Sequence, residues 1–144
     1  MPRRIIFSPL AAAALVLSLA VATDAKEPVS YGRITHTGTM VTDKPIEIAL
    51  DLNGMKLESI TFSGNEAVAV VWNRTPHSVA AHIGIALYDE NDELIAAESD
   101  TQSISRALVK IKSGKASNLK IKFKKFVSDF KDIARYRLVF VTKS

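Results

Sequence analysis

Cysteine is missing from the 144 residues of this chain. Its absence excludes disulfide bonds, catalysis by a thiolate and the lipid-bearing cysteine of a bacterial lipoprotein. Small exported domains often depend on disulfides for their stability. If this chain is exported, its stability must therefore come from its hydrophobic core.

The sequence also lacks the short motifs that mark common catalytic sites. It contains no G-x-S-x-G and no paired acid arrangement. Ser113-Gly114-Lys115 lacks the rest of a phosphate-binding loop, and the neighbours His77 and Ser78 would point to different faces of a strand. We therefore expect a protein that is not an enzyme, with no catalytic residues and no cofactor. A hydrolase of unknown type is the third function left open.

Metal ligands are equally few. Three histidines are present, His36, His77 and His82, and no two of them have the spacing of a strong metal motif. On that basis we expect no metal site. Together with Met40 and Met55, they still leave open a copper site of the kind that imidazole and thioether ligands form. A metal-binding protein of the cell envelope is therefore the alternative function.

The N-terminal segment "MPRRIIFSPLAAAALVLSLAVATDAKEP" has the order of a secretory signal. Two arginines come first, residues 10–21 are almost entirely apolar, and small residues follow. This order predicts a signal peptide over residues 1–25, cleaved near residue 22 or 25, and a single domain over residues 26–144. The apolar run is shorter than the roughly 20 residues of a membrane span, so we expect no transmembrane span in the mature chain. The protein is thus predicted to be exported from a bacterial cytoplasm, to the periplasm or the medium.

Alternation of apolar and polar residues with a period of two dominates the rest of the sequence. In "NLKIKFKKF" apolar residues alternate with lysines, and "RYRLVFVTK" and "SVAAHIGIALY" repeat the pattern. Asn53-Gly54 separates two further segments of this kind and is a strong hairpin signal. Eight or nine short strands, without the helices that a parallel sheet requires, predict an all-β antiparallel sandwich.

The same alternation predicts which side chains form the core. Phe123, Leu138 and Phe140 are expected inside, and the lysines next to Phe123 are expected outside. Trp72 ends the β-branched segment "AVAVVWN" and is expected in the core or at its rim.

The polar segment of residues 89–93, "DENDE", lies between two apolar runs. Asp89, Asn91 and Glu93 alternate as the ligands of a calcium loop do, but Leu94 stands where such a loop needs glycine. Aspartate and asparagine also favour turns, because their side chains bond the local backbone. The segment is therefore predicted to be a hairpin turn, with Leu94 as the first core residue of the returning strand.

The segment "VVWNRTPHSVAAHIGIALYDENDELIA" resembles exported bacterial sandwich modules that carry an F-x-L-Y-D motif. In these modules a strand ends in Asn, a short polar loop follows, and the next strand ends in Leu-Tyr-Asp before a turn. Asn73 and Leu87-Tyr88-Asp89 match this order, and Ile85 replaces the Phe. The resemblance covers residues 65–142. It implies an immunoglobulin-like fold, an exported setting and a binding or structural role without catalytic residues.

Charge is distributed unevenly along the chain. Residues 26–100 carry 5 basic and 12 acidic side chains, a net charge of −7, whereas residues 101–144 carry 12 basic and 2 acidic ones, a net charge of +10. Two strand-like segments hold basic residues that would form one positive patch if the segments pair or lie in one sheet. The predicted patch consists of Lys120, Lys122, Lys124, Arg135 and Arg137.

A patch of this kind would bind an acidic partner, which could be an acidic protein, a polyanion of the cell envelope or a second copy of the chain. Nucleic acid is not expected, because no aromatic side chain shares the lysine face to stack on bases. The sequence therefore predicts a non-enzymatic exported binding or interaction module of the bacterial cell envelope. Its predicted fold is a single immunoglobulin-like antiparallel β-sandwich.

Overall fold

A computed structural model describes residues 31–100, 108–123 and 130–144. This part of the chain contains strands and turns but no helix. The predicted signal peptide lies outside the described residues, as does Lys124 of the predicted basic patch. The strands are β1 (Tyr31–Thr39), β2 (Ile46–Leu52), β3 (Met55–Ser63), β4 (Glu66–Asn73), β5 (Val79–Tyr88), β6 (Leu94–Ser99), β7 (Val109–Ile111), β8 (Ala116–Lys122) and β9 (Arg135–Lys143).

These strands form two antiparallel sheets. The five-stranded sheet has the order β1-β9-β5-β6, and β7 also pairs with β5. Since β6 pairs with residues 84–88 of β5 and β7 with residues 79–81, the two short strands share one edge of β5. The four-stranded sheet has the order β2-β3-β4-β8. The two sheets pack together, which confirms the predicted all-β antiparallel sandwich.

The core lies between the sheets, and the alternation along each strand selects the residues that enter it. Phe123, Leu138 and Phe140 are buried, as the sequence predicts. Lys120 and Lys122 are exposed on the other side of β8. Each large apolar side chain buried in this way contributes about 1.5–3 kcal/mol relative to an exposed one. The predicted inner and outer faces of β8 and β9 are therefore correct.

Aromatic rings from both sheets meet inside the core. Phe62 packs against Phe130 and Tyr136, with ring centroids 5.4 Å and 5.2 Å apart, and Phe123 packs edge-on against Phe130 at 5.7 Å. Edge-on and tilted contacts of this kind add to the hydrophobic stabilisation. Burial raises the pKa of the Tyr136 phenol above its ordinary value.

The hairpin between β2 and β3 follows its local turn chemistry. Asn53 and Gly54 have φ angles of 53° and 86°, in the left-handed region that these two residue types tolerate. The Asp51 carboxylate also accepts the N–H of Gly54 at 3.0 Å. The hairpin that the sequence predicts here is therefore present.

The segment of residues 89–93 is a hairpin turn. The Asp89 carboxylate accepts the N–H groups of Asn91 and Glu93 at 2.8 Å and 3.0 Å, and β5 and β6 pair on either side. The prediction for Leu94 is wrong, because a register shift at the end of β5 places it opposite Tyr88 on the outer side. Its side chain is 59% exposed.

Trp72 also lies outside the core. Its neighbours Val71 and Asn73 are buried on the inner side of β4, so the side chain between them points outward and is 38% exposed. The indole N–H donates to a carboxylate oxygen of Glu58 at 2.5 Å. Trp72 is therefore part of the outer surface of the four-stranded sheet.

Candidate functional site

The structure divides the predicted basic patch between the two sheets. Lys120 and Lys122 lie on β8, the edge strand that pairs with β4. Arg135 and Arg137 lie on β9, which pairs with β1 and β5 in the other sheet. The prediction of one patch required the two strands to pair or to share a sheet, and they do neither. It is therefore corrected to two groups on opposite sides of the sandwich, because the chain crosses between the sheets after β8.

Basic residues are concentrated on the outer side of β1 and β9, where Arg33, Arg135, Arg137 and Lys143 lie. Arg135 forms an ion pair with Asp92, and the Lys143 ammonium lies over the Tyr31 ring, 5.6 Å from its centroid. Arg137 is exposed and makes no salt bridge with any residue that the structure describes. Its guanidinium is therefore available to bind an anion.

Arg137 borders a shallow groove on this surface. The floor of the groove consists of three small residues at neighbouring positions of β5 and β6, namely Gly84, Ala86 and Ala97. Val139 continues the wall beside Arg137, and the groove has a volume of about 440 Å³. Together with Ile85, Glu98 and Ser99, these five residues line what we call the Arg137 groove, so one acidic side chain also belongs to its lining. It combines a cationic side chain with a smooth apolar floor.

Gly84 is not required by the packing of the sandwich. It lies in the middle of β5, and a Cβ atom added there would meet only the carbonyl oxygen of Glu98, at 3.9 Å. Glycine inside a regular element costs about 0.5–1 kcal/mol relative to alanine. A glycine in a strand often marks a place where a ligand or another backbone approaches closely. The open floor is therefore maintained at some cost in stability, as a binding groove would require.

His82 and Asp100 form a pair next to the groove. His82 points to the outer side of β5, and its Nδ1 lies 2.6 Å from Oδ1 of Asp100. The same oxygen accepts the N–H of Ile83 at 3.1 Å, and the N–H of Asp100 donates to the Ile83 carbonyl at 3.1 Å. These bonds continue the pairing of β5 between the end of β6 and the start of β7. The pair thus holds the edge of the sheet beside the groove.

The candidate copper ligands are mostly far apart in the fold. His36 lies on β1 with its Nε2 atom 3.4 Å from the Tyr136 hydroxyl, whereas His77 lies in the loop after β4. In residues 31–100, 108–123 and 130–144, no three His, Cys, Asp or Glu side chains come together in a way that could hold a metal ion. His77 and Met55 do line the same small cavity, which has a volume of about 130 Å³. One thioether and one imidazole are thus brought together.

Asn73 is a central residue that the sequence analysis noted only as the end of a strand. Its side chain is fully buried, and its amide group donates to the carbonyls of His77 and Ile111, both at 2.7 Å. Its side-chain oxygen accepts the N–H and the hydroxyl of Thr75 at 2.8 Å and 2.6 Å. Its backbone bonds to Lys115 and Gly114 as well. All four side-chain hydrogen-bonding positions are therefore used, and they join the loop after β4 to the end of β7.

Two of the four carboxylates of the turn at residues 89–93, those of Asp89 and Asp92, have partners within the protein. The Asp89 oxygen that accepts two backbone N–H groups stabilises the turn itself, and Asp92 is paired with Arg135. Asp92 also adopts a φ of 64°, which aspartate tolerates better than most residues. Turn formation explains the acidic composition without a metal ion.

Calcium is accordingly expected to leave the stability of the protein unchanged. The double substitution Asp89→Asn and Asp92→Asn should lower the melting temperature, because the turn loses charge-assisted bonds. The decrease should be equal with and without millimolar calcium in a thermal denaturation experiment. Stabilisation by calcium that the double substitution abolishes would show that the turn is a metal loop.

No protein-family model matches the chain, and no curated protein matches it either. Within the residues that the structure describes, no helix has the length and apolar character needed to cross a membrane. We therefore infer a function from the surfaces of the sandwich.

Proposed function

We propose that this protein is a non-enzymatic binding module of the bacterial cell envelope, exported by a signal peptide over residues 1–25. Its partner is an acidic protein segment that lies in the Arg137 groove. The observation that carries this proposal is the exposed Arg137 beside an open floor of Gly84, Ala86 and Ala97. A mature chain that begins near Thr23 or Lys26, detected by intact mass, is the expected result for export.

The charge of the surface supports an acidic partner. Arg33, Arg137 and Lys143 are exposed on the outer side of β1 and β9, and of the four basic residues there only Arg135 is paired with a carboxylate. A surface of one sign attracts partners of the other sign and accelerates their encounter. The guanidinium group also presents a planar fork that matches a carboxylate.

The shape of the groove supports an extended peptide. The floor is a row of small side chains on two paired strands, which leaves room for a backbone to lie close to the sheet. Apolar contact with Val139 and the alanines and a charge-assisted bond to Arg137 would act on alternate side chains of such a peptide. A polysaccharide polyanion would use the charge but not the apolar floor.

Binding can be tested with a labelled octapeptide of alternating alanine and glutamate, measured by fluorescence anisotropy. Arg137→Glu should weaken binding at least about tenfold, since one charge-assisted bond is worth about 1.5–3 kcal/mol. Gly84→Val should also abolish binding, because its side chain fills the floor. The same substitution should leave stability unchanged or raise it, since a β-branched residue suits an open strand position.

Matched controls separate this site from general electrostatic attraction. Lys120→Glu removes a positive charge on the opposite side of the sandwich and should leave binding unchanged. A peptide of alternating alanine and glutamine should not bind, and binding of the acidic peptide should weaken with salt. If Gly84→Val binds the acidic peptide as well as the wild type does, the groove is not the site. If polygalacturonate binds more tightly than the peptide, the partner is a polysaccharide.

We further propose that the sandwich is immunoglobulin-like. Two antiparallel sheets of short strands, with chain crossings between the sheets after β1, β4, β7 and β8, support this assignment. The order Asn73, polar loop, Leu87-Tyr88-Asp89 and hairpin turn agrees with the module family that the sequence resembles. The resemblance implies a binding or structural role, which is compatible with a groove on one face.

Copper binding is the second candidate, and the shared cavity of His77 and Met55 is the observation that favours it. Thioether and imidazole are the ligand types that select copper over harder metals. Titration of the purified protein with cuprous ion would detect such a site. Binding that both His77→Ala and Met55→Leu remove would support copper, and no binding to the wild type at micromolar copper would exclude it.

A further inference from the structure

The outer side of the four-stranded sheet carries a partly exposed apolar stripe. Val68, Val70 and Trp72 alternate along β4 and point away from the core. Trp72 is the only tryptophan of the chain and is 38% exposed there. Tryptophan is enriched at the centres of protein interfaces, because it offers a large apolar area together with one polar atom. We call this outer surface of the four-stranded sheet the Trp72 face.

Charges of opposite sign lie at opposite corners of the Trp72 face. Near Trp72, towards the β2 edge, the acidic residues are Glu47, Asp51 and Glu58, with Lys56 opposite Asp51. At the other end, on the β8 edge, Lys120 lies beside Val68 and Lys122 lies beside Glu66. The first corner is therefore net acidic and the second net basic, with the apolar stripe between them.

This arrangement is complementary to itself. A two-fold axis in the plane of the sheet, running along the other diagonal of the Trp72 face, would bring the acidic corner of one copy onto the basic corner of a second. The same rotation makes the two apolar stripes cross near the centre of the contact. Such an isologous contact is the commonest way in which identical chains associate. We infer that the Trp72 face is the interface of a homodimer in which two sandwiches pack face to face.

The size of the face sets the strength of this dimer. Four strands spaced about 4.8 Å apart, each with about seven residues, give a face of roughly 19 Å by 23 Å. Two copies would bury roughly 900 Å² in total, below the 1,200–2,000 Å² of a standard interface. The dimer is therefore weak, with a dissociation constant in the micromolar range or above. It forms only where the local concentration of the protein is high. It uses the opposite sheet from the Arg137 groove, so the two sites act independently.

Sedimentation of the full mature chain over a concentration series tests the dimer directly. The wild type should shift from monomer to dimer as its concentration rises, and the emission of Trp72 should move to shorter wavelength over the same range. Reversing the basic corner with Lys120→Glu and Lys122→Glu, or the acidic corner with Glu47→Lys and Glu58→Lys, should leave monomers. An equimolar mixture of the two reversed variants should dimerise again, because their corners become complementary.

The control is Arg137→Glu, which lies on the other sheet and should leave the dimer unchanged while it weakens binding in the groove. A wild type that stays monomeric, with an unchanged Trp72 spectrum, up to millimolar concentration would overturn the inference. A dimer that tolerates both corner reversals would overturn it as well. The spectrum of the wild type decides the question even if a reversed variant does not fold.

Discussion

Phe140→Ala is expected to lower the free energy of unfolding by about 3–5 kcal/mol, the range measured for removal of a large buried ring. Phe140 is fully buried on β9, where Ile34 of β1 and Ile83 of β5 are its register partners. Because strands are paired on both sides of it, the surrounding backbone cannot move in to fill the cavity. Since a domain of this kind is stable by only about 5–15 kcal/mol, the loss is a large part of the total.

Urea denaturation of Phe140→Ala measures this loss, and Lys120→Ala is its matched control. Lys120 is exposed on the outer side of an edge strand, and its removal should change stability by less than about 0.5 kcal/mol. A similar loss of stability in both variants would mean that the inner and outer faces have been assigned wrongly.

Asn73→Ala should lower the free energy of unfolding by about 3–4 kcal/mol, although it removes little apolar area. The substitution leaves the carbonyls of His77 and Ile111 without the amide that bonds them, and each buried group left unpaired costs about 1–3 kcal/mol. It also removes both bonds that Thr75 makes to the side chain. The loop after β4 and the end of β7 would lose their common partner.

Asn73→Asp distinguishes the hydrogen bonds that the Asn73 side chain donates from those that it accepts. The carboxylate keeps the acceptor role toward Thr75, but it cannot donate and places a charge next to two carbonyl oxygens. We expect it to be at least as destabilising as Asn73→Ala at pH 7, with some recovery at low pH as the carboxyl group becomes protonated. Asn118→Ala, on the exposed side of β8, is the control and should have little effect. Wild-type stability in Asn73→Asp would show that the donated bonds contribute nothing.

Phe140→Ala and Asn73→Ala also bear on function, because they weaken the folded scaffold and do not alter either proposed binding surface. Neither residue lies in the Arg137 groove or on the Trp72 face, so a partly unfolded variant would lose both proposed activities together. Gly84→Val and the corner reversals should each remove one activity and leave the fold intact. The two patterns distinguish a lost scaffold from a lost site.

Several features of the fold follow from local sequence alone. The alternation in "RYRLVFVTK" identifies Leu138 and Phe140 as inner residues, because successive side chains of a strand point to opposite faces whatever the strand pairs with. Asn53-Gly54 and the segment of residues 89–93 specify turns through their own backbone preferences. These signals depend only on residues that are close together in the sequence, and for that reason the strand faces and turns could be predicted.

The candidate sites depend instead on which strands become neighbours. Leu94 lies outside because the register of β5 and β6 shifts, and Trp72 lies outside because it falls between two inner residues of β4. The Arg137 groove brings together residues of β5, β6 and β9, and no spacing of residues along the chain predicts this arrangement.

By itself, the sequence determined the strands, the inner and outer faces of β8 and β9, the turns and the absence of cysteine chemistry. Only the tertiary structure decided that Lys120 and Lys122 lie on one side of the sandwich and Arg135 and Arg137 on the other. The physical reason is that face selection is a property of a single strand, set by the alternation of its side chains. The assignment of a strand to a sheet depends instead on pairing between segments far apart in the chain. Although β8 and β9 are consecutive, β8 pairs with β4, and β9 pairs with β1 and β5.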